Sequence, residues 1–240
     1  KLISKLNLPN REQSFFDIHH PTDSKSLIRA QKRLKFEEFF FLQLHLIKLK
    51  ITRINKSKGY AFNNIGNNVN DFYKKYLPFK LTNAQKKVLK EIRNDVRKPQ
   101  QMNRLLQGDV GSGKTLVALL SMLIAIDNSF QTCLMAPTEI LSQQHFNSIS
   151  QYLEKLKIKI AFLTGSTKKK ERNIIYEQLI NGEINLIIGT HALIEEKVQF
   201  KNLGLAIIDE QHRFGVAQRA KLWKKNNNPP HVLVMTATPI

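Results

Sequence analysis

The sequence predicts an α/β fold, a parallel sheet covered by helices on both faces and preceded by a mainly helical segment. Three observations carry this expectation. From about residue 83 onward, short apolar runs alternate with longer stretches of helical periodicity. A glycine-rich loop at residues 108–115 separates a strand-like run from a helix-like one. Two carboxylates, Asp209 and Glu210, end another apolar run at the edge where open parallel sheets bind ligands.

The loop organises the rest. Gly108, Asp109, Val110, Gly111, Ser112, Gly113, Lys114 and Thr115 fit the phosphate-loop pattern G-x-x-x-x-G-K-[ST]. Residues 102–107 hold Leu105 and Leu106 and read as a short buried strand, and residues 116–125 read as a helix packed on the sheet. Glycines let the backbone turn its N–H groups onto a phosphate, and the helix N-terminus adds a favourable dipole. Lys114 reaches terminal phosphates and the Thr115 hydroxyl suits Mg²⁺. A plain glycine turn has no need of Lys-Thr in register, so the chain is expected to bind a nucleoside triphosphate.

Taken in order, residues 1–24 are polar and irregular. The pair His19-His20 lacks a Cys or carboxylate at ligand spacing and reads as loop, not metal site. Residues 26–54 become helical, with Leu27, Ala30, Leu34, Phe41, Leu44 and Ile47 near three- and four-residue spacing. The run Phe39, Phe40, Phe41, Leu42 is apolar on too many sides for a free-standing helix and needs cover from another element. Residues 55–70 are rich in turn formers and read as an exposed loop or linker. A helix is expected over 83–96, with Thr82 as N-cap and Gln85 one turn inside. Strands are then expected at 102–107, 132–136, 159–164, 184–189, 204–209 and 231–237. Helices fall near 114–127, 139–155, 167–181 and 217–224.

Composition bounds the function. The net charge of +19 is uneven: residues 1–107 hold 23 Lys/Arg against 8 Asp/Glu, and residues 108–240 hold 15 against 11. A strongly basic part beside a nearly balanced nucleotide-binding part points to a polyanionic partner. A general richness in Lys, Asn and Ile is the competing explanation. No apolar run is long enough to span a bilayer, and the start lacks the features of a signal peptide. It also lacks an initiator methionine, so the chain reads as a fragment. The single cysteine, Cys133, excludes an internal disulfide framework, fits a reducing cytoplasm and reads as a small core residue.

The acid pair completes a nucleotide site, with Asp209 holding Mg²⁺ and Glu210 orienting and deprotonating the attacking water. Three later stretches at strand ends, Ala136-Pro137-Thr138, Gly189-Thr190-His191 and Thr236-Ala237-Thr238, supply exposed hydroxyls, glycine and helix N-termini suited to phosphate contact. A simple nucleotide kinase has no use for so many.

These motifs in this order, with Gln85, Thr164-Gly165 and the box Asp209-Glu210-Gln211-His212, resemble superfamily 2 helicases, specifically the first of their two RecA-like (P-loop NTPase) motor domains. The wording around residues 30–44, 77–85, 102–115 and 209–216 is similar to that of the RecG family of branched-DNA translocases. The resemblance covers roughly residues 15–240, although residues 56–70 match nothing distinctive. Transcription-repair coupling translocases share the phosphate loop and an Arg-Phe-Gly element, but their acidic box usually reads Asp-Glu-Glu-Gln, and they lack the helix around residues 33–38.

The resemblance implies ATP with Mg²⁺, adenine read by Gln85 with Phe79, and γ-phosphate sensed by Gln211 and His212. It places Pro137, Thr138, Gly165, Thr190 and His191 along the DNA backbone. Arg213, Phe214 and Arg219 contact DNA or couple the site to it, and Thr236, Ala237 and Thr238 link hydrolysis to movement. It implies residues 1–25 as the trailing end of a wedge domain, 26–76 as a helical linker and 77–240 as the motor domain. The expected partner is branched double-stranded DNA, forks and Holliday junctions, met by a cytoplasmic, nucleoid-associated bacterial monomer. Ending at Ile240, the fragment is expected to bind ATP weakly and hydrolyse it slowly without a second motor domain, whose arginine fingers are worth about three to five orders of magnitude in related enzymes. Other superfamily 2 motors and a non-catalytic ATP-switched DNA-binding module are the alternatives.

Overall fold

The structure, a computed structural model, describes residues 2–56, 59–77, 79–210, 214 and 228–237. Contacts divide the chain into two compact units, residues 1–56 and 57–240.

The first unit contains α1 (Leu2–Lys5), α2 (Arg11–His19) and α3 (Ser24–Lys56). Residues 1–24, expected to be irregular, are thus largely helical. Asn10 caps α2 by accepting the Gln13 amide at 2.7 Å. The helix carries an inverted pattern that a search for apolar periodicity passes over. Ser14 and Asp17 are buried, with Ser14 Oγ donating to Asn10 O and Gln13 Nε2 donating to Asp17, while Phe15 and Phe16 face outward. On α3 the buried Arg33 pairs with Glu37 at 2.9 Å, and Arg11 of α2 reaches the same carboxylate at 3.3 Å. Farther along α3, Phe39, Phe41, Leu42 and Leu44 remain exposed, Phe39 at 63%. The cover that the sequence demands for this run is not among the described residues.

The second unit is built on six parallel strands: β1 (Asn103–Gln107), β2 (Gln131–Met135), β3 (Ile160–Leu163), β4 (Leu186–Gly189), β5 (Leu203–Asp209) and β6 (His231–Thr236). Their order is β1-β6-β5-β2-β4-β3. All six lie within two residues of the expected bounds, and side chains alternate between two cores. Leu134, Leu186, Ile188, Leu205, Ile207, Leu233 and Met235 point to one face. Cys133, Met135, Ile187, Ala206, Ile208, Val232 and Val234 point to the other. The first face is covered by α5 (Asn83–Val96), α6 (Lys114–Asp127) and α7 (Glu139–Leu153), the second by α8 (Lys169–Asn181) and a 3₁₀ turn, His191–Ile194. β1 pairs only with β6, and as an edge strand it buries Leu106 but leaves Leu105 half exposed, so it is less buried than expected. The helix expected at 217–224 lies outside the described residues.

Residues 59–76, expected to belong to a linker, pack with the second unit. Phe62 and Phe72 are fully buried in the α6-side core, and the chain forms α4 (Asn67–Asp71) followed by a π-helical turn, Phe72–Tyr76. The turn formers here are used as donors. Asp127, at the end of α6, accepts the amides of Gly66 (2.9 Å), Asn68 (3.2 Å) and Val69 (3.1 Å) and the Asn68 Nδ2 (2.8 Å). It caps α4 from 61 residues away. Asn128 exchanges hydrogen bonds with Asn64, and Arg93 donates to the carbonyls of Phe62 and Asn63. Replacing Asp127 by Ala strands four donors at a half-buried site. A loss of about 2 kcal/mol is expected, or roughly 4–8 °C in thermal midpoint. An unchanged midpoint in a thermal melt would mean that the segment is held without the Asp127 bonds, by its buried phenylalanines and its other hydrogen bonds.

Candidate nucleotide site and nucleic-acid edge

The carboxyl ends of β1, β6 and β5 are adjacent in register, Gln107 opposite Thr236 and Asp209 opposite Met235. The segments leaving these ends therefore meet. The Gly108 amide donates to Thr236 O at 3.3 Å, and the Glu210 amide donates to Met235 O at 2.9 Å. Glu210 takes a left-handed backbone (φ 50°), a conformation that costs a non-glycine residue about 1–3 kcal/mol and that surrounding bonds must hold. Those bonds are present: Thr236 Oγ1 donates to Glu210 Oε2 at 3.1 Å and the Ala237 amide donates to Oε1 at 3.2 Å. The expected catalytic carboxylate and the expected coupling segment form one bonded unit.

The phosphate loop is shaped as its sequence requires. Gly111 and Gly113 have φ of 80° and 81°. Open space surrounds Gly111, whereas a Cβ on Gly113 would come within 2.4 Å of Gln85 Nε2. Lys114 Nζ donates to Gly108 O at 2.6 Å and Asp109 O at 2.8 Å, and Leu116 and Val117 make the first bonds of α6, both to Gly113 O. The amides of Lys114 and Thr115 precede those bonds and face the anion-binding end of the helix. Gln85 forms a reciprocal capping box with Thr82 and donates its Nε2 to Ser112 O at 2.9 Å. Phe79 is half exposed on an open cavity of about 630 Å³ shared with Tyr73, Lys74, Leu77, Lys80, Leu81 and Lys86. Its aromatic wall suits a nucleotide's base, while no residue of the loop 108–115 lines it. The oxygen donors Thr115 and Asp209 suit a hard cation such as Mg²⁺.

Sequence reasoning missed His145. Its Nε2 lies 2.7 Å from Asp209 Oδ2, and the two side chains are 14% and 12% exposed. The only hint is its place on the helix opened by Thr138. The partner is 64 residues distant, beyond any local pattern.

The edge expected to meet nucleic acid is laced together by side chains. Thr138 caps α7, its Oγ1 accepting the Leu141 amide at 3.2 Å, while Pro137 is half buried beside it. Glu139 accepts the Ser166 Oγ (2.9 Å) and amide (3.1 Å), and these bonds hold its carboxyl below the usual range. Arg172 donates to the carbonyls of Thr164 (2.7 Å), Gly165 (2.8 Å) and Thr167 (2.9 Å) and pairs with Glu195 at 3.4 Å. Gly165 and His191 are exposed. Thr190 is not: at 2% exposure its hydroxyl is buried without a hydrogen-bond partner among the described residues, and its amide donates to Leu163 O. Gly189 explains the inward turn, since a Cβ there would lie 1.9 Å from Leu163 O. Phe214, expected at the DNA or coupling surface, is 7% exposed in the α8-side core with Ile208 and Val234, where apolar burial takes up its ring. Gln211, His212, Arg213, Arg219 and Thr238 lie outside the described residues.

The sequence profile of the DEAD/DEAH box helicases matches residues 82–240, from the cap of α5 past the last strand. The chain belongs to this family. Among DEAD/DEAH helicase relatives, it is 46% identical to the ATP-dependent DNA helicase RecG of Synechocystis sp. and 48% identical to that of Streptococcus pneumoniae. Each match takes in 100% of this chain, but 29% and 35% of those relatives. A solved structure of RecG bound to a three-way DNA junction aligns at 44% identity and a TM-score of 0.86, over 100% of this chain and 32% of that one. The chain therefore spans about a third of the length of the curated relatives it matches. These matches also take in residues 1–81, which the helicase profile leaves out.

Proposed function

We propose that this chain is part of a RecG-type ATP-dependent DNA helicase, a motor that remodels forks and Holliday junctions in recombination and repair. Residues 57–240 form its first motor domain, α3 its linker helix, and the preceding residues the trailing end of a wedge domain. Lys114 and the loop amides hold the ATP phosphates, Gln85 and Phe79 its adenine. Thr115 and Asp209 hold Mg²⁺, which when bound offsets charge on the terminal phosphates. Glu210 takes the proton of the attacking water, and Gln211 and His212 sense the γ-phosphate. Pro137, Thr138, Gly165 and His191 line the DNA backbone, and the buried Thr190, its amide bonded to Leu163 O, shapes the turn that presents His191. Arg213 and Arg219 join them, and Thr236, Ala237 and Thr238 pass on the state of the nucleotide. Phe214 supports the segment after the acidic box from within the core. The setting is a bacterial cytoplasm and the protein acts as a monomer. Among the described residues no helix is long and apolar enough to cross a membrane.

The observation that carries this reading is the bonded unit of Gly108, Thr236, Ala237 and Glu210. A static triphosphate-binding site needs the loop and a cation ligand. A motor also needs the water-activating carboxylate tied to a segment that can report its state. The net charge of +19 supports a polyanionic track.

The test is ATPase rate with and without a synthetic fork, on these 240 residues alone and with a separately expressed second motor domain. Slow basal turnover alone and fork stimulation only in the mixture are expected. Strong fork-stimulated turnover by the 240 residues alone would refute the two-domain requirement. Nucleotide binding without any fork response in either preparation would favour an ATP-switched binding module.

A further inference from the structure

We infer that His145 is a positioning residue for the acidic box, orienting Asp209 and joining it to the helix that opens on the nucleic-acid edge. The inference rests on the reading of Asp209 as a ligand of the nucleotide's Mg²⁺. A carboxylate only 12% exposed requires a hydrogen-bond donor, and the donor 2.7 Å from its Oδ2 is the His145 ring nitrogen. An Nε2–H bond occupies Oδ2 and leaves Oδ1 to face a cation, the arrangement by which outer-shell partners fix metal-binding carboxylates. The donor comes from a different element than the one holding Glu210. Glu210 is tied to the end of β6, whereas Asp209 is tied to α7. His145 stands about 9 Å along α7 from Glu139. Glu139 binds Ser166, and Thr138 caps the same helix. A displacement of this end of α7 by DNA is thus carried by a rigid helix to one carboxylate of the ATP site. His145 is not needed to seat α7, because Ile149 and Leu153 already anchor it in the core.

The test uses the 240-residue chain with a non-hydrolysable ATP analogue, reading bound Mn²⁺ by electron paramagnetic resonance and metal-free nucleotide affinity in EDTA. His145→Ala is expected to weaken Mn²⁺ binding about 10- to 100-fold, with EDTA affinity unchanged. His145→Gln, whose amide nitrogen reaches the Nε2 position, is expected to restore most of it. Wild-type Mn²⁺ affinity in the Ala variant overturns the inference, as does an equal loss in EDTA, which marks general damage to the site. Should the Ala variant fail to fold, the long-range ¹H–¹⁵N spectrum of the unaltered chain decides: a proton on Nε2 of His145 supports the inference and its absence overturns it. If the unaltered chain binds no Mn²⁺ with the nucleotide, the reading of the ATP site itself fails, an outcome distinct from those of the variants.

Discussion

Glu210→Gln is expected to lower fork-stimulated ATP hydrolysis by about two to four orders of magnitude, with ATP affinity changed less than about threefold. The substitution keeps the side chain's volume and one acceptor oxygen but removes the basicity that takes a proton from water. The bonds from Thr236 Oγ1 and the Ala237 amide add a second effect. Among the described residues, Thr236 Oγ1 donates to one oxygen of Glu210 and the Ala237 amide to the other. Gln presents an NH₂ to one of those donors and must lose that bond, so the link to β6 loosens as the base is lost. Thr236→Val separates the two effects, since it removes the hydroxyl donor and keeps the carboxylate. Its loss should be the smaller, and it should appear in DNA stimulation more than in basal turnover. Rates are to be measured with the second motor domain supplied, with ATP affinity followed by fluorescence of a labelled nucleotide. Turnover of Glu210→Gln within tenfold of the parent would remove Glu210 from the water-activating role.

The parts of this domain most legible in its sequence are those specified locally. The capping box of Thr82 and Gln85, the strand-ending acids and the phosphate loop each depend on neighbours a few residues apart, and the sheet was readable from runs of apolar residues. What escaped depends on distant partners. His145 looks like an ordinary helical residue until Asp209 is brought beside it. Residues 55–70 read as linker or exposed loop because asparagine and glycine are common in loops, yet the amides of Gly66, Asn68 and Val69 donate to Asp127. Helix α2 was hidden by burying Ser14 and Asp17 while exposing Phe15 and Phe16. The family resemblance assigns Thr190 and Phe214 to a DNA-facing or coupling surface, but the close approach at Gly189 and the α8-side core draw them inward.

Stability of the unit of residues 57–240 should fall as pH drops from 6.5 toward 4, and His231 should account for much of the fall. It begins β6 and is fully buried, with Nδ1 accepting the Met102 amide at 2.8 Å and Nε2 donating to Tyr60 O at 2.7 Å. Met102 N–H only donates and Tyr60 O only accepts, so the ring is neutral and protonated at Nε2. A second proton would have to sit on Nδ1, facing another donor. Burial lowers the pKa to about 4, with the Tyr60 carbonyl and the charge of Asp95 opposing the shift only in part. The unfolded chain takes up that proton near pH 6.5 and the folded chain near 4. Stability is therefore complete above 6.5 and is lost progressively through that window, by about 2 kcal/mol at pH 5, or roughly 4–8 °C. His231→Asn keeps an acceptor for Met102 and cannot titrate. It should melt lower at pH 7.5 but change less between pH 7.5 and 5. Parallel melting curves for the two proteins across that range would show that another group sets the acid sensitivity. The same ring joins the start of β6 to residues 59–62, the leading segment of this unit. Acid should therefore first loosen the leading segment from β6, exposing the Phe62 amide, which donates to Val96 O, to hydrogen exchange before the amides of β5.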